Sequence, residues 1–456
     1  MYDRYEGRED LIRQLRALLP DPARVVTAPA DLERLSHDFY WFSPILQPQL
    51  GPKVADVAVR PLSVDEIVEV LRLAFRLEAP VTARGAGTAS SGQSVPLHGG
   101  ILLDLSLLDR LEEITADGIA VCEAGTRMGV LECEARARGW ELRCYPSTFN
   151  KATIGGFLAG GASGIGAVAH GAIRDFDTVQ AVEIVTMEEE PQRARLEGLA
   201  AQQILHAWGT NGIITRVWLR LTPAVEWMEG AAVFDTFEEA FRFAEALAEE
   251  PVWQKRLVTV LEWPIPSFFT PFQQHVRAEK ALVLFMVAAS QFEGLRAALA
   301  RHRGELTFSA AFTGHYSASL LSNYTWNHTT LWAMQADREY TYLQCVFEPR
   351  YALAQCSLLR ERYGTDILFH FEFMKNRDSA IVPAAIPVVR FVSAAQLNEM
   401  VEYCRSIRVF VANPHVHCLE DSGRLRPDNL QLLAKQHYDH HGLLNPGKMR
   451  TFRTQG

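Results

Sequence analysis

Between residues 146 and 171 the chain carries seven glycines, at positions 155, 156, 160, 161, 164, 166 and 171, with almost no charge among them. Glycine at that density lets backbone approach a bulky ligand closely, or takes positive φ. A second loop, Arg84-Gly85-Ala86-Gly87-Thr88, lies between two strand-like runs at 80–83 and 101–105. It offers consecutive backbone N–H groups and a hydroxyl, a nest suited to a pyrophosphate. It lacks the Lys-Ser/Thr of a P-loop, so ATP chemistry is not supported, and taken alone it also reads as a tight turn. Upstream, Val57 and Val59 make a short strand, and Ser63 with Glu66 forms a capping box for a helix to about Leu77. Strand, helix, strand, glycine loop, strand is an α+β nucleotide-binding rhythm.

A chain of 456 residues suggests about three folding units. Residues 11, 15, 18 and 19 are leucines at helical spacing before Pro20, which predicts an N-terminal helix within 1–24. Strands are expected at 177–186 and 212–223, and after Pro223 the character changes. A helix over 237–248, a strand over 281–288 and a helix over 294–303 then point to a second α+β domain, 224–405, before a motif-bearing tail, 406–456. Lys plus Arg (45) against Asp plus Glu (54) leaves −9, without the basic excess of a nucleic-acid binder. The seven cysteines contain no Cys-x-x-Cys, which argues against an iron–sulfur or structural zinc site and fits reduced thiols. The charged first ten residues are no signal peptide, and the longest apolar run, 281–289, is far below the ~20 residues that span a bilayer. The expectation is a cytoplasmic protein without membrane insertion.

The string Gly160-Gly161-Ala162-Ser163-Gly164-Ile165-Gly166 has the look of a short-chain dehydrogenase turn. None of the twelve tyrosines has lysine four residues later, so that nicotinamide reading is set aside. Taken together, Arg84–Thr88, Pro146-Ser147 with Thr153-Ile154-Gly155-Gly156, Gly209-Thr-Asn-Gly212-Ile213-Ile214-Thr215 and Leu444-Asn445-Pro446-Gly447-Lys448 resemble the FAD-linked oxidases. That is the vanillyl-alcohol oxidase/p-cresol methylhydroxylase (PCMH) superfamily, nearest its glycolate oxidase subunit and D-2-hydroxy-acid dehydrogenase branch.

The resemblance implies an α+β fold: a two-subdomain PCMH-type FAD-binding domain over 25–223, with 224–405 as a separate α+β cap. By the same resemblance Arg84, Gly85, Ala86, Gly87, Thr88 and Ala89 hold the pyrophosphate. Thr153, Ile154, Gly155, Gly156, Gly160, Gly161, Ser163 and Gly164 wrap the ribityl chain and flavin, with Pro146 and Ser147 in the cofactor-binding set. Gly212, Ile213 and Ile214 meet the adenosine side, and Asn445 lies near the ring. Relatives that attach FAD through histidine carry it where Thr88 stands, and a cysteine link falls near Lys151, so a non-covalent FAD is expected.

The branch's metal-binding histidine motifs are not intact, and no metal is expected. The matching cap strand reads 367–373 with His370, and the later site reads 413–423 with His415, His417 and Glu420. In an extended segment His415 and His417 share a side, as ligands or as polar lining. The aromatic stretch 324–332 holds His328, which has the chemistry to orient or deprotonate a hydroxyl. The expected function is hydride transfer from an alcohol or 2-hydroxy-acid carbon to flavin N5, with His415, His328 and His370 as candidate bases in that order. The alternative is a flavin-containing subunit of a larger complex with a relay or structural role. The partner is a small-molecule substrate; the electron acceptor stays open, as does assembly, with a homodimer among the options.

Overall fold

The computed structural model describes residues 5–174, 177–314, 320–423 and 429–452. Its first layer is a four-stranded sheet ordered Val25–Val26, Val57–Val59, Ile101–Asp104, Val81–Arg84, the last three parallel. The helix Val64–Arg76 crosses between its strands, and Ser63 Oγ accepts the Glu66 amide as the capping pattern requires. The N-terminal helix Arg8–Leu18 buries Leu11 and Leu15 in the same core.

A second, antiparallel sheet is ordered Leu111–Ile114, Ile119–Glu123, Ile213–Arg220, Val179–Val185, Arg193–Glu197. The strand expected over 212–223 breaks at Leu221, and Thr222–Pro223 pairs instead with Trp140–Glu141. The two sheets meet through the parallel sheet's Val81, Ile101 and Leu103, which share a core with Val185 and Ile213.

The third unit is an eight-stranded antiparallel sheet that begins with Glu305–Ala311 and Trp227–Phe234 and ends with Cys345–Val346 and Phe410–Val411. Phe410–Val411 therefore extends this sheet past the boundary expected at 405. The strand expected over 367–373 also divides. Ile367–Leu368 joins a small sheet with Tyr340–Tyr342 and Val388–Arg390, whereas His370–Lys375 enters the large one. Side chains alternate along that strand. Phe369, Phe371 and Phe373 pack with Phe241 and Met400 under the helices Phe237–Glu249 and Ala394–Ser406, which leaves His370, Glu372 and Met374 on the opposite face. Among the described residues no helix is long and apolar enough to cross a membrane.

Candidate FAD-binding cleft

The strand Val81–Arg84 runs straight into the loop that follows it, and the loop folds around its own arginine. The Arg84 guanidinium turns back beneath it and donates to the His37 carbonyl at 2.8 Å. Gly87, with φ +65°, sits so close that a Cβ would lie 2.1 Å from Arg84 Nη2. Glycine is the residue that fits both demands. Behind the loop, Lys448 is buried and gives a 2.6 Å bond to the Gly92 carbonyl, near Asp38. Burial pushes the Asp38 carboxyl up to about 6 and the Lys448 ammonium down to about 8, each opposed by attraction to the other. Above this support, the amides of Ala86, Gly87, Thr88 and Ala89 find no acceptor among the described residues. Four adjacent donors on the cleft wall form a nest that could hold an anion.

The loop is pressed against the second glycine segment. A Cβ on Gly85 would fall 2.1 Å from Thr153 Oγ1, and Thr153 caps the short helix Ile154–Gly160 by accepting the Gly156 amide. Between these walls lies a cleft of about 440 Å³. Arg84, Gly85, Ala86, Gly87, Thr88, Ala89, Pro146, Ser147, Thr153, Gly155, Gly156, Gly160, Gly161, Ser163, Gly212 and Ile214 all line it. Among the described residues no aspartate or glutamate lines it, and the cations that do are Arg84 and Arg174, the latter 2.7 Å from His206 Nδ1.

Four expected residues stand behind the lining. Ile154 and Ile213 are fully buried core, and Gly164 is packed so closely that a Cβ would lie 2.0 Å from the Tyr145 carbonyl. Asn445 was expected near the ring, but its Nδ2 donates to the Gln93 and Trp208 carbonyls at 2.9 and 2.7 Å. It is a strut joining two segments whose residues line the cleft. The far side is closed by Trp326 and Asn327 at the start of the helix Asn327–Ala336 and, from the large sheet and its strand ends, by Gln344, Cys345, Met374, Ile386, Phe410 and alanines 384, 385 and 412. Of these only Trp326 and Asn327 fall in a stretch the sequence marks; small apolar residues in strands carry no ligand signal.

The three candidate histidines do not line the cleft. His415 is buried, its Nε2–H donates to the Tyr342 carbonyl at 2.7 Å, and its Nδ1 accepts the Ser43 hydroxyl at 2.8 Å. Burial pushes its pKa down to about 4. With both ring nitrogens hydrogen-bonded and no edge on the cleft, His415 links the Ser43 and Tyr342 segments in this structure. His328 donates Nδ1–H to the Ser322 carbonyl at 3.1 Å, and burial lowers its pKa, although its neighbours Trp326 and Asn327 reach the cleft. His370 is fully buried, with Nε2 at 2.9 Å from Glu372 Oε1 and Nδ1 without a hydrogen-bond partner. Glu372 also accepts the Trp326 amide at 2.7 Å, so this pair braces the backbone behind the wall. The segment 413–417 is not a strand, His415 lies in an Asx turn on Asn413, and Glu420 is bound to Thr451. Among the described residues no three His, Cys, Asp or Glu side chains gather as metal ligands.

Among the described residues the cleft suits a long dianionic nucleotide: amides without an acceptor, close-packed glycines and a lining without carboxylates. Comparison with known proteins agrees. Residues 55–195 match the family model described as an FAD binding domain. The chain is 29% identical over 213 residues to a D-lactate dehydrogenase of Archaeoglobus fulgidus, covering 44% of this chain and 47% of that protein. It is 26% identical over 210 residues to the mitochondrial D-2-hydroxyglutarate dehydrogenase of Bos taurus, covering 44% and 37%. The chain thus spans about half the length, or less, of the curated relatives it matches. A solved alkyldihydroxyacetonephosphate synthase superposes with a TM-score of 0.74 at 15% identity, covering 98% of this chain and 86% of that one. FAD is the cofactor these findings support.

Proposed function

We infer that this chain is a member of the FAD-linked oxidase superfamily of the PCMH type and an FAD-dependent oxidoreductase that takes hydride from the CH–OH carbon of an alcohol or 2-hydroxy acid. The observation that carries the reading is the row of amides from Ala86 to Ala89 that have no acceptor among the described residues, on the wall of a cleft that no described carboxylate lines. The names of the relatives, D-lactate and D-2-hydroxyglutarate dehydrogenases, supply the substrate class. Residues 25–223 would hold the cofactor and 224–405 would cap it.

When bound, FAD supplies the hydride acceptor. The amides of Ala86–Ala89 would take the pyrophosphate, Thr153, Gly155, Gly156, Gly160, Gly161 and Ser163 the ribityl chain and ring, and Gly212 and Ile214 the adenosine side. Trp326, Met374, Ile386 and Phe410 are apolar walls that would exclude water from the reacting carbon. Asn327, Gln344 and Ser90 are the polar groups at that end. Ser90 Oγ lies 2.8 Å from the Tyr342 hydroxyl and 3.4 Å from Asn327 Nδ2, an arrangement that would orient a substrate hydroxyl.

One observation favours the alternative of a flavin subunit with a relay or structural role: none of the three candidate bases lines the cleft. Anaerobic reduction of the bound flavin by a panel of 2-hydroxy acids and alcohols decides between them. Bleaching by one compound supports the oxidoreductase; bleaching by dithionite alone supports the subunit.

A further inference from the structure

Away from the cleft, a charged side chain of the large sheet is buried in the other unit. Arg256, on the strand Lys255–Leu261, is 2% exposed. Its Nη2 donates to Glu132 Oε1 and to the Leu142 carbonyl, both at 2.9 Å, and its guanidinium stands 4.7 Å over the Tyr145 ring. Nη1 lies 3.6 Å from Glu141 Oε2, and the Arg256 carbonyl accepts the Gly166 amide at 2.8 Å. One residue therefore grips both 142–145 and 166.

These are the roots of two cleft walls. Tyr145 and Ile165 exchange both backbone hydrogen bonds, at 3.0 and 2.8 Å. Gly164 is packed onto the Tyr145 carbonyl. Directly beyond this isolated bridge, Pro146 and Ser147 on one segment and Gly161 and Ser163 on the other line the cleft. We propose that Arg256 is a positioning residue for the cofactor, through which the cap sets the spacing of the two glycine-bearing walls. The proposal rests on the reading that the cleft takes FAD. Arginine suits the task because its planar fork donates in several fixed directions at once, which a lysine ammonium on a flexible stem does not reproduce.

The test uses full-length protein stripped of flavin and titrated with FAD, read by quenching of flavin fluorescence, with thermal unfolding of each variant measured in parallel. Arg256→Lys keeps the charge but not the fork. The double variant Arg256→Met/Glu132→Gln avoids stranding a buried carboxylate, which would itself unfold the site. Phe241→Leu, in the core on the opposite face of the cap sheet, is the stability control. The double variant is expected to bind FAD roughly 10–100-fold more weakly, the worth of one hydrogen bond to a charged group. Arg256→Lys should fall between it and wild type, and Phe241→Leu should bind as wild type despite a lower Tm. Affinity that simply tracks Tm across the series, or wild-type affinity in the double variant, overturns the proposal. Wild-type protein that takes up no FAD overturns the reading of the cleft beneath it.

Discussion

Gly156→Asp separates charge from space at the heart of the cleft. A Cβ on Gly156 would meet only Thr153 Oγ1 at 3.0 Å and the Gly85 Cα at 4.0 Å, and its φ is not positive. The position is in the first turn of the helix Ile154–Gly160, where an acidic residue is favoured, so the flavin-free fold should tolerate the change. The new carboxylate enters a lining that has none among the described residues. Two like charges 4–8 Å apart repel by about 2–4 kcal/mol at an effective dielectric near 20. Against a dianion the lower bound is about 4 kcal/mol, or roughly 10³-fold in Kd. Gly156→Asn, equal in size and uncharged, should lose no more than about tenfold, a cost on the scale of one mild steric clash. FAD titration of both variants, with circular dichroism melts, reads the difference. Gly294→Asp is the control, exposed in the first turn of the helix Phe292–Arg301. Gly118 is no substitute, because its φ is +80° and a Cβ would lie 2.6 Å from the Trp140 ring. Equal Kd for the Asp and Asn variants would refute an anion at this wall.

Three further outcomes are expected. Acid precipitation should release yellow cofactor into the supernatant, since no histidine among the described residues lines the cleft and Thr88 and Lys151 replace the linking residues; colour kept in the pellet contradicts this. His415→Ala should change substrate-driven flavin reduction by no more than a few-fold, whereas a loss on the order of 10²–10⁴-fold would restore it as the base. His415 also sets a pH dependence: its folded pKa of about 4 lies below its ordinary 6.5, so the unfolded chain binds the proton first. Stability should then rise with pH between about 4 and 6.5 and level off above, contributing up to about 3 kcal/mol that His415→Gln lacks. Urea melts of both proteins at several pH values that run parallel would contradict the neutral buried imidazole.

The glycine segments were legible because each answers a local demand. Gly87 needs its φ whatever the rest of the chain does, and Gly85 needs room against a threonine that sits in a motif of its own. Capping was legible for the same reason, as at Ser63 and Glu66. The histidines were not. The partners that use up His415 are Ser43, 372 residues away, and the carbonyl of Tyr342, 73 residues away, and no pattern in 413–417 announces them. Asn445 likewise spends its amide on carbonyls 352 and 237 residues distant. The far wall was illegible for another reason: alanines 384, 385 and 412 look like any strand filler until the large sheet brings them to the cleft.

The most direct measurement is the absorption spectrum of the purified protein under anaerobic titration with 2-hydroxy acids and alcohols. The account predicts flavin bands at roughly 375 and 450 nm that bleach with one compound of the panel, as hydride passes to the bound cofactor. Protein that carries no flavin and takes none up would contradict it, as would bound flavin that dithionite bleaches and no alcohol or hydroxy acid does.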